Sequence, residues 1–199
     1  MVANIRSGSS PGGALHYNKE KVDKDEAEVL FWQKMLEPFD KHGRMDVDVC
    51  MDSFWPYLEA NCRTTNTVFH ASLNPSPEDR LTDDQLRDIA QEYMERMGYG
   101  NQPYIVFKHK DISRGHLHIV SLRVDEKGRK LPYDFEARRS AEITRDLEHK
   151  YNLHPAVKGQ EQRDTPDLRK VNYKAGNVKQ QISSVVRSCL RNYKCSSYG

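Results

Sequence analysis

Apolar and polar positions change their period several times along this chain, and each change marks an element. Between Asp25 and Leu36, the residues Ala27, Leu30, Phe31 and Met35 fall at helical spacing. Met51, Phe54, Trp55 and Leu58 repeat at i, i+3, i+4 and i+7. Both stretches predict helices whose aromatic stripes face a core. Thr67–Leu73 is β-branched and aromatic and runs into Asn74-Pro75-Ser76-Pro77, which predicts a strand ended by a proline-containing loop. Thr82 followed by Gln85 is a helix-starting pair, and Leu86, Ile89, Ala90, Tyr93, Met94 and Met97 then keep the 3.6-residue period up to Gly98 and Gly100. Tyr104–Phe107 and Leu117–Val124 read as strands joined by a short polar connection, hence a hairpin.

Two helical patterns close the chain. Phe135–Tyr151 reads as a charged surface helix, and Val178, Ile182, Val185, Val186, Cys189 and Leu190 form one face of a last one. At the other end, Ser7-Gly-Ser-Ser-Pro-Gly-Gly13 is too rich in glycine and serine for regular structure. Residues 1–12 are therefore expected to be a flexible arm, and 13–199 a single domain.

Composition narrows the class. The chain has 199 residues, 37% hydrophobic and 30% charged, which suits one domain of ordinary size. No apolar run approaches the roughly 18–20 residues that a bilayer needs, and the first residues lack the apolar centre of a secretory signal. A soluble protein of the cytoplasm is expected. The four cysteines, Cys50, Cys62, Cys189 and Cys195, form no Cys-x-x-Cys pair, so they are read as reduced thiols rather than as a disulfide or zinc framework.

Charge changes the picture further. Net charge is only +2, yet residues 1–100 hold 11 basic and 18 acidic side chains and residues 101–199 hold 20 and 11. From Leu168 to Gly199 there are seven basic residues and no acidic one. Such a split predicts a face built for a polyanion.

Candidate chemistry centres on the histidines. His116 and His118 are two apart in a strand-like run, so both rings should point to one side of it. His109 ends the preceding strand, and an antiparallel hairpin would bring it beside the pair. Three neutral imidazoles, each binding at about 2.0–2.1 Å, would leave coordination positions open, as in a catalytic metal site. Asp111 is placed to orient one imidazole or to replace it as a ligand. Imidazole donors alone favour zinc, copper or nickel, and the spacing does not name the ion.

The stretch His109-Lys-Asp-Ile-Ser-Arg-Gly-His116-Leu-His118-Ile-Val120 resembles the third motif of the conjugative relaxases and mobilization nucleases, a branch of the HUH endonucleases. Phe69-His-Ala-Ser-Leu-Asn-Pro75 resembles the middle strand of that family, Gly98-Tyr-Gly-Asn-Gln-Pro-Tyr104 the lead into its metal strand, and Leu15-His16-Tyr17-Asn18 with Lys21-Val22 its nucleophile segment. The resemblance is closest to mobilization proteins of Bacteroides-type plasmids and transposable elements. It runs from about Gly13 to the last helix.

The resemblance implies an α+β fold, with a central antiparallel sheet carrying the metal ligands on its middle strands and helices covering it. It implies a divalent ion, Mg²⁺ or Mn²⁺ with Zn²⁺ and Ni²⁺ as alternatives, on His109, His116 and His118. It implies Tyr17 as the residue that attacks DNA, with Asp111 or His70 orienting or activating. His16 competes for that role, because some branches use a histidine, and on an extended segment only one of two neighbours can face the metal. Arg114, Lys170, Lys174, Lys179, Arg187 and Arg191 are the expected DNA-binding set.

The expected activity is metal-dependent, strand-specific nicking and rejoining of DNA at a transfer origin through a 5′-phosphotyrosine. The expected partners are single-stranded or hairpin origin DNA, accessory mobilization proteins and a coupling protein, with no membrane insertion. Relaxases usually continue well past this domain, so the chain reads as the amino-terminal part of a longer protein. Two rivals stand beside this reading: a rolling-circle replication or transposition enzyme of the same superfamily, and a DNA-binding accessory factor that keeps the fold without the reaction.

Overall fold

The computed structural model describes residues 1–110, 115–155 and 182. The chain divides into two compact units, Met1–Ala156 and Val157–Gly199, and the description below is of the first. The expected last helix lies outside the described residues.

The element order is β1 (Val2–Gly8), α1 (Pro11–Asp23), β2 (Ala27–Gln33), α2 (Val47–Ala60), β3 (Val68–Asn74), α3 (Asp83–Arg96), β4 (Tyr104–His109), β5 (His116–Leu122) and α4 (Glu136–Lys150). Five strands pair antiparallel in the order β1-β3-β5-β4-β2. The expected α+β architecture is therefore present, with the histidine-bearing hairpin β4–β5 in the middle of the sheet.

Local chemistry sets the helix starts. Ser10 accepts a hydrogen bond from the Gly13 amide at 3.1 Å, and Pro11 opens α1 with a ready-made φ. Asp46 caps α2 through the amides of Asp48 and Val49. Thr82 and Gln85 form the anticipated reciprocal capping box of α3. Gly98, just past that helix, takes a positive φ of 90°, the left-handed conformation that glycine adopts without penalty.

Side-chain alternation gives the sheet two apolar faces, and helices bury both. On one face Phe69, Ala71, Leu73, Val106, Leu117 and Ile119 pack with Leu86, Ile89, Tyr93 and Met94 of α3 and with Ile143 and Leu147 of α4. On the other, Ile105, Phe107, Val120 and Leu122 pack with Leu15 of α1 and with Cys50 and Phe54 of α2. Arg123, buried at the end of β5, clamps the first turn of α4 by a two-pronged bond to Glu136 at 2.8 and 2.9 Å. Among the described residues Cys50 and Cys62 are free thiols. Burial pushes the Cys50 thiol up to about 12, so it packs as a small hydrophobe.

Two expectations are corrected. The Asp25–Leu36 stretch is strand β2 rather than a helix. A bulge shifts its register between Val29 and Phe31, so that the consecutive residues Leu30 and Phe31 both pack into the same core. That break in alternation imitates helical spacing in the sequence. The supposed flexible arm is also ordered: Val2–Gly8 pairs with all of Val68–Asn74, and Met1 is buried. Of the glycine- and serine-rich stretch, Ser7 and Gly8 end β1, Ser9 and Ser10 make the turn, and Pro11, Gly12 and Gly13 begin α1, while backbone pairing against β3 orders what precedes the turn. Among the described residues no helix is long and apolar enough to cross a membrane.

Leu15, fully buried, is the peg that seats α1 on the sheet. Leu15→Ala should lower unfolding free energy by about 2–5 kcal/mol, read as a lower urea midpoint with an unchanged slope.

Candidate active site

Antiparallel register builds the site. His109 at the end of β4 lies directly opposite His116 at the start of β5, and His118 shares the face of His116 two residues on. The ring centroids of His109 and His118 are 4.1 Å apart, and those of His116 lie 5.2 Å and 5.1 Å from them. One nitrogen from each ring falls within 4.8 Å of the others. His109 and His116 are buried and His118 is half-buried. The three rings brought together are the three expected from the sequence.

Two neighbours hold these rings in place. His118 engages His70 of β3, Nδ1 to Nε2 at 2.9 Å, which makes its Nε2 the candidate ligand atom. Burial, and after it the charge of Arg6, holds the His70 imidazole below its ordinary pKa. His109 bonds through Nε2 to Oδ1 of Asn18 at 2.8 Å. The amide of Asn18 is itself oriented, because its Nδ2 donates to the Ala14 carbonyl at 2.8 Å. Oδ1 is therefore the atom facing the ring, and His109 must donate Nε2–H to it.

Such outer bonds are what metal-binding imidazoles ordinarily have, and three converging imidazole nitrogens suit a divalent ion. The donor set fits the metal that the sequence implied. It does not by itself choose between Mg²⁺, Mn²⁺, Zn²⁺ and Ni²⁺.

Tyr17 stands over the cluster. Its ring centroid is 6.4 Å from that of His109 and 6.3 Å from that of His118, and the side chain is 46% exposed. It lines a cleft of about 310 Å³ with Asn4, Arg6, Ala14, His70, Ser72 and His118. The segment carrying His16 and Tyr17 is not the expected extended one but lies inside α1. There, neighbouring residues are about 100° apart around the axis. Leu15 and Asn18 point into the protein, Tyr17 overlooks the cleft, and exposed His16 is not among the residues lining it.

His70, expected as an orienting or activating residue, lies against His118. Asp111, Arg114, Lys170, Lys174, Lys179, Arg187 and Arg191 lie outside the described residues. The sequence reading missed Asn18, Asn4, Arg6 and Ser72. Asn18 was detectable in principle, since it sits three residues after Leu15 on the buried stripe of a helix, but only if the segment is read as helical.

The protein should bind one Mn²⁺ by calorimetry, with the affinity reduced at least about a hundredfold in His118→Ala and about 10–100-fold in Asn18→Leu, the range for losing a partner of a ligand.

The comparisons agree with this geometry. The sequence pattern described as "Relaxase: MobA/VirD2-like, nuclease domain" matches residues 17–153. No curated protein matches the chain. The matched span covers well over half of the chain and includes all three clustered histidines and Tyr17. The chain belongs to the MobA/VirD2-like relaxase nuclease family.

Proposed function

We propose that this domain cuts and rejoins one DNA strand at a transfer origin, with Tyr17 as nucleophile. Tyr17 Oη attacks the phosphorus of one phosphodiester. The Oη–P bond forms as the P–O3′ bond breaks, the phenolic proton is given up, and the departing O3′ gains one. The products are a 5′-phosphotyrosine and a free 3′-hydroxyl. One ester replaces another, so the reverse attack reseals the strand without ATP. A divalent ion, when held by His109, His116 and His118, supplies positive charge next to a non-bridging phosphate oxygen.

The remaining work belongs to the chain. Asn18 and His70 hold two of the ligand rings, which keeps the site preorganised rather than assembled on demand. Leu15 and Asn18 anchor α1, so the phenol on the next face of that helix is held close to the rings. The carrying observation is that the Tyr17 ring lies 6.4 and 6.3 Å from two of the three clustered imidazoles. That proximity weighs against an accessory factor that kept only the fold, and the family match weighs against a rolling-circle or transposition enzyme. The motif resemblance from Leu15 to Val22 and from Phe69 to Val120 supports a mobilizable element of the Bacteroides type as the source of the origin. Accessory mobilization proteins and a coupling protein complete this reading as partners.

Incubation with a labelled single-stranded oligonucleotide containing the origin, with Mn²⁺, should give a protein–DNA adduct that survives detergent. Tyr17→Phe should reduce adduct formation more than about a thousandfold, and His16→Ala should leave it intact. An adduct kept in the first variant and lost in the second would move the nucleophile by one residue.

A further inference from the structure

The cleft beside Tyr17 is larger than the metal cluster needs, and its far wall is the edge strand β1. Across β1, β3 and β5 the register places Asn4 opposite Ser72 and Ser72 opposite His118, while Arg6 lies opposite His70. Residues paired this way share a face and sit about 5 Å apart from strand to strand. A polar strip therefore runs sideways from the histidines to β1, the edge strand of the sheet among the described residues. It is the continuation of the face whose apolar part, Ile105, Phe107, Val120 and Leu122, lies beneath α1 and α2.

Arg6 is the cation of that strip. Among the described residues no carboxylate lies within ion-pair distance of it. The lysines in α1 and at its end differ: Lys19, Lys21 and Lys24 each have a carboxylate oxygen within 2.6 Å. On β4, Lys108 pairs with Asp83 and the following Lys110 with Glu28. An arginine left with its charge uncompensated, facing a cleft, is matched by an anion from outside. The neighbouring groups can donate to the same anion. Ser72 Oγ accepts from Asn74 Nδ2 at 3.2 Å, which leaves its O–H to donate, and exposed Asn4 carries an amide N–H₂.

We propose that Arg6, with Asn4 and Ser72, forms a subsite for a backbone phosphate of single-stranded DNA adjacent to the phosphate that Tyr17 attacks. The proposal rests on the nicking reading above and extends it to the strand's path, which leaves the histidines across β3 and exits over the open edge of β1. The guanidinium fork grips two phosphate oxygens, and the two donors fix the register of the strand without reading its sequence.

Arg6 is exposed on an edge strand held by backbone bonds, so its replacement leaves the fold in place. The test is fluorescence anisotropy of the full chain with a labelled oligothymidylate of about 16 nucleotides, titrated over a range of NaCl concentrations. Arg6→Ala should weaken binding about tenfold and lower the slope of log Kd against log salt by about 0.7, the share of one phosphate on a single strand. Arg6→Lys should restore the slope but not the full affinity. Arg138→Ala, on the helix covering the opposite face, should change neither.

An unchanged affinity and slope in Arg6→Ala, in a protein that still forms the Tyr17-dependent adduct, overturns the subsite and leaves the nicking reading standing. An Arg6-dependent slope in a parent chain that forms no adduct supports the subsite and overturns the nicking reading. A parent chain that does not bind the oligothymidylate overturns the subsite, and the nicking reading is then decided by the adduct assay on origin DNA alone.

Discussion

The site depends on the register between β4 and β5. Because side chains alternate along a strand, pairing His109 with His116 places His118 on the same face, and a slip of one residue would send one strand's histidines to the opposite side. The register is well defended. Phe107 and Ile105 on one side, and Val106 on the other, are all buried, so a slip would break the packing of both cores and carry Lys108 to the face that α1 and α2 cover. The same apolar alternation that makes the sheet stable thus fixes where three imidazoles meet.

A second constraint couples the sheet to the helix layer. Asn18 is fully buried, donates within its own helix and accepts from His109. Buried polar groups of this kind are costly when unmatched, so α1 is held at one rotation and one height above the sheet. Tyr17 is the adjacent residue and is carried to the cleft by that anchoring. The nucleophile candidate and the histidine cluster come from segments more than 90 positions apart, and the Asn18–His109 bond is a direct polar tie between them.

Much of this was legible in the sequence. The capping box at Thr82, the helix of Phe54 and Trp55, and the two strands flanking the polar connection all rest on local signals. So did the three-histidine cluster, since hairpin geometry over a short connection leaves little choice of partner. The failures also have physical reasons. In β2, a bulge puts Leu30 and Phe31 on the same side and so disguises a strand as a helix. In β1, the residues of Val2–Gly8 look irregular because an exposed edge strand carries polar residues on the open part of its face, and pairing with β3 is a non-local event.

The amino-acid sequence by itself determined the identities and spacing of the chemical groups: three imidazoles and a phenol in a pattern that resembles the relaxases. Backbone alternation and short-range turn geometry are enough to group the histidines, because they act within one hairpin. Tertiary structure alone decided which of His16 and Tyr17 overlooks the cleft, that Asn18 and His70 bond two of the clustered rings, and that Arg6 reaches the same cavity. Those facts depend on the rotation of α1 over the sheet and on the pairing of β1 with β3, and both are set by packing between segments that lie far apart in the chain.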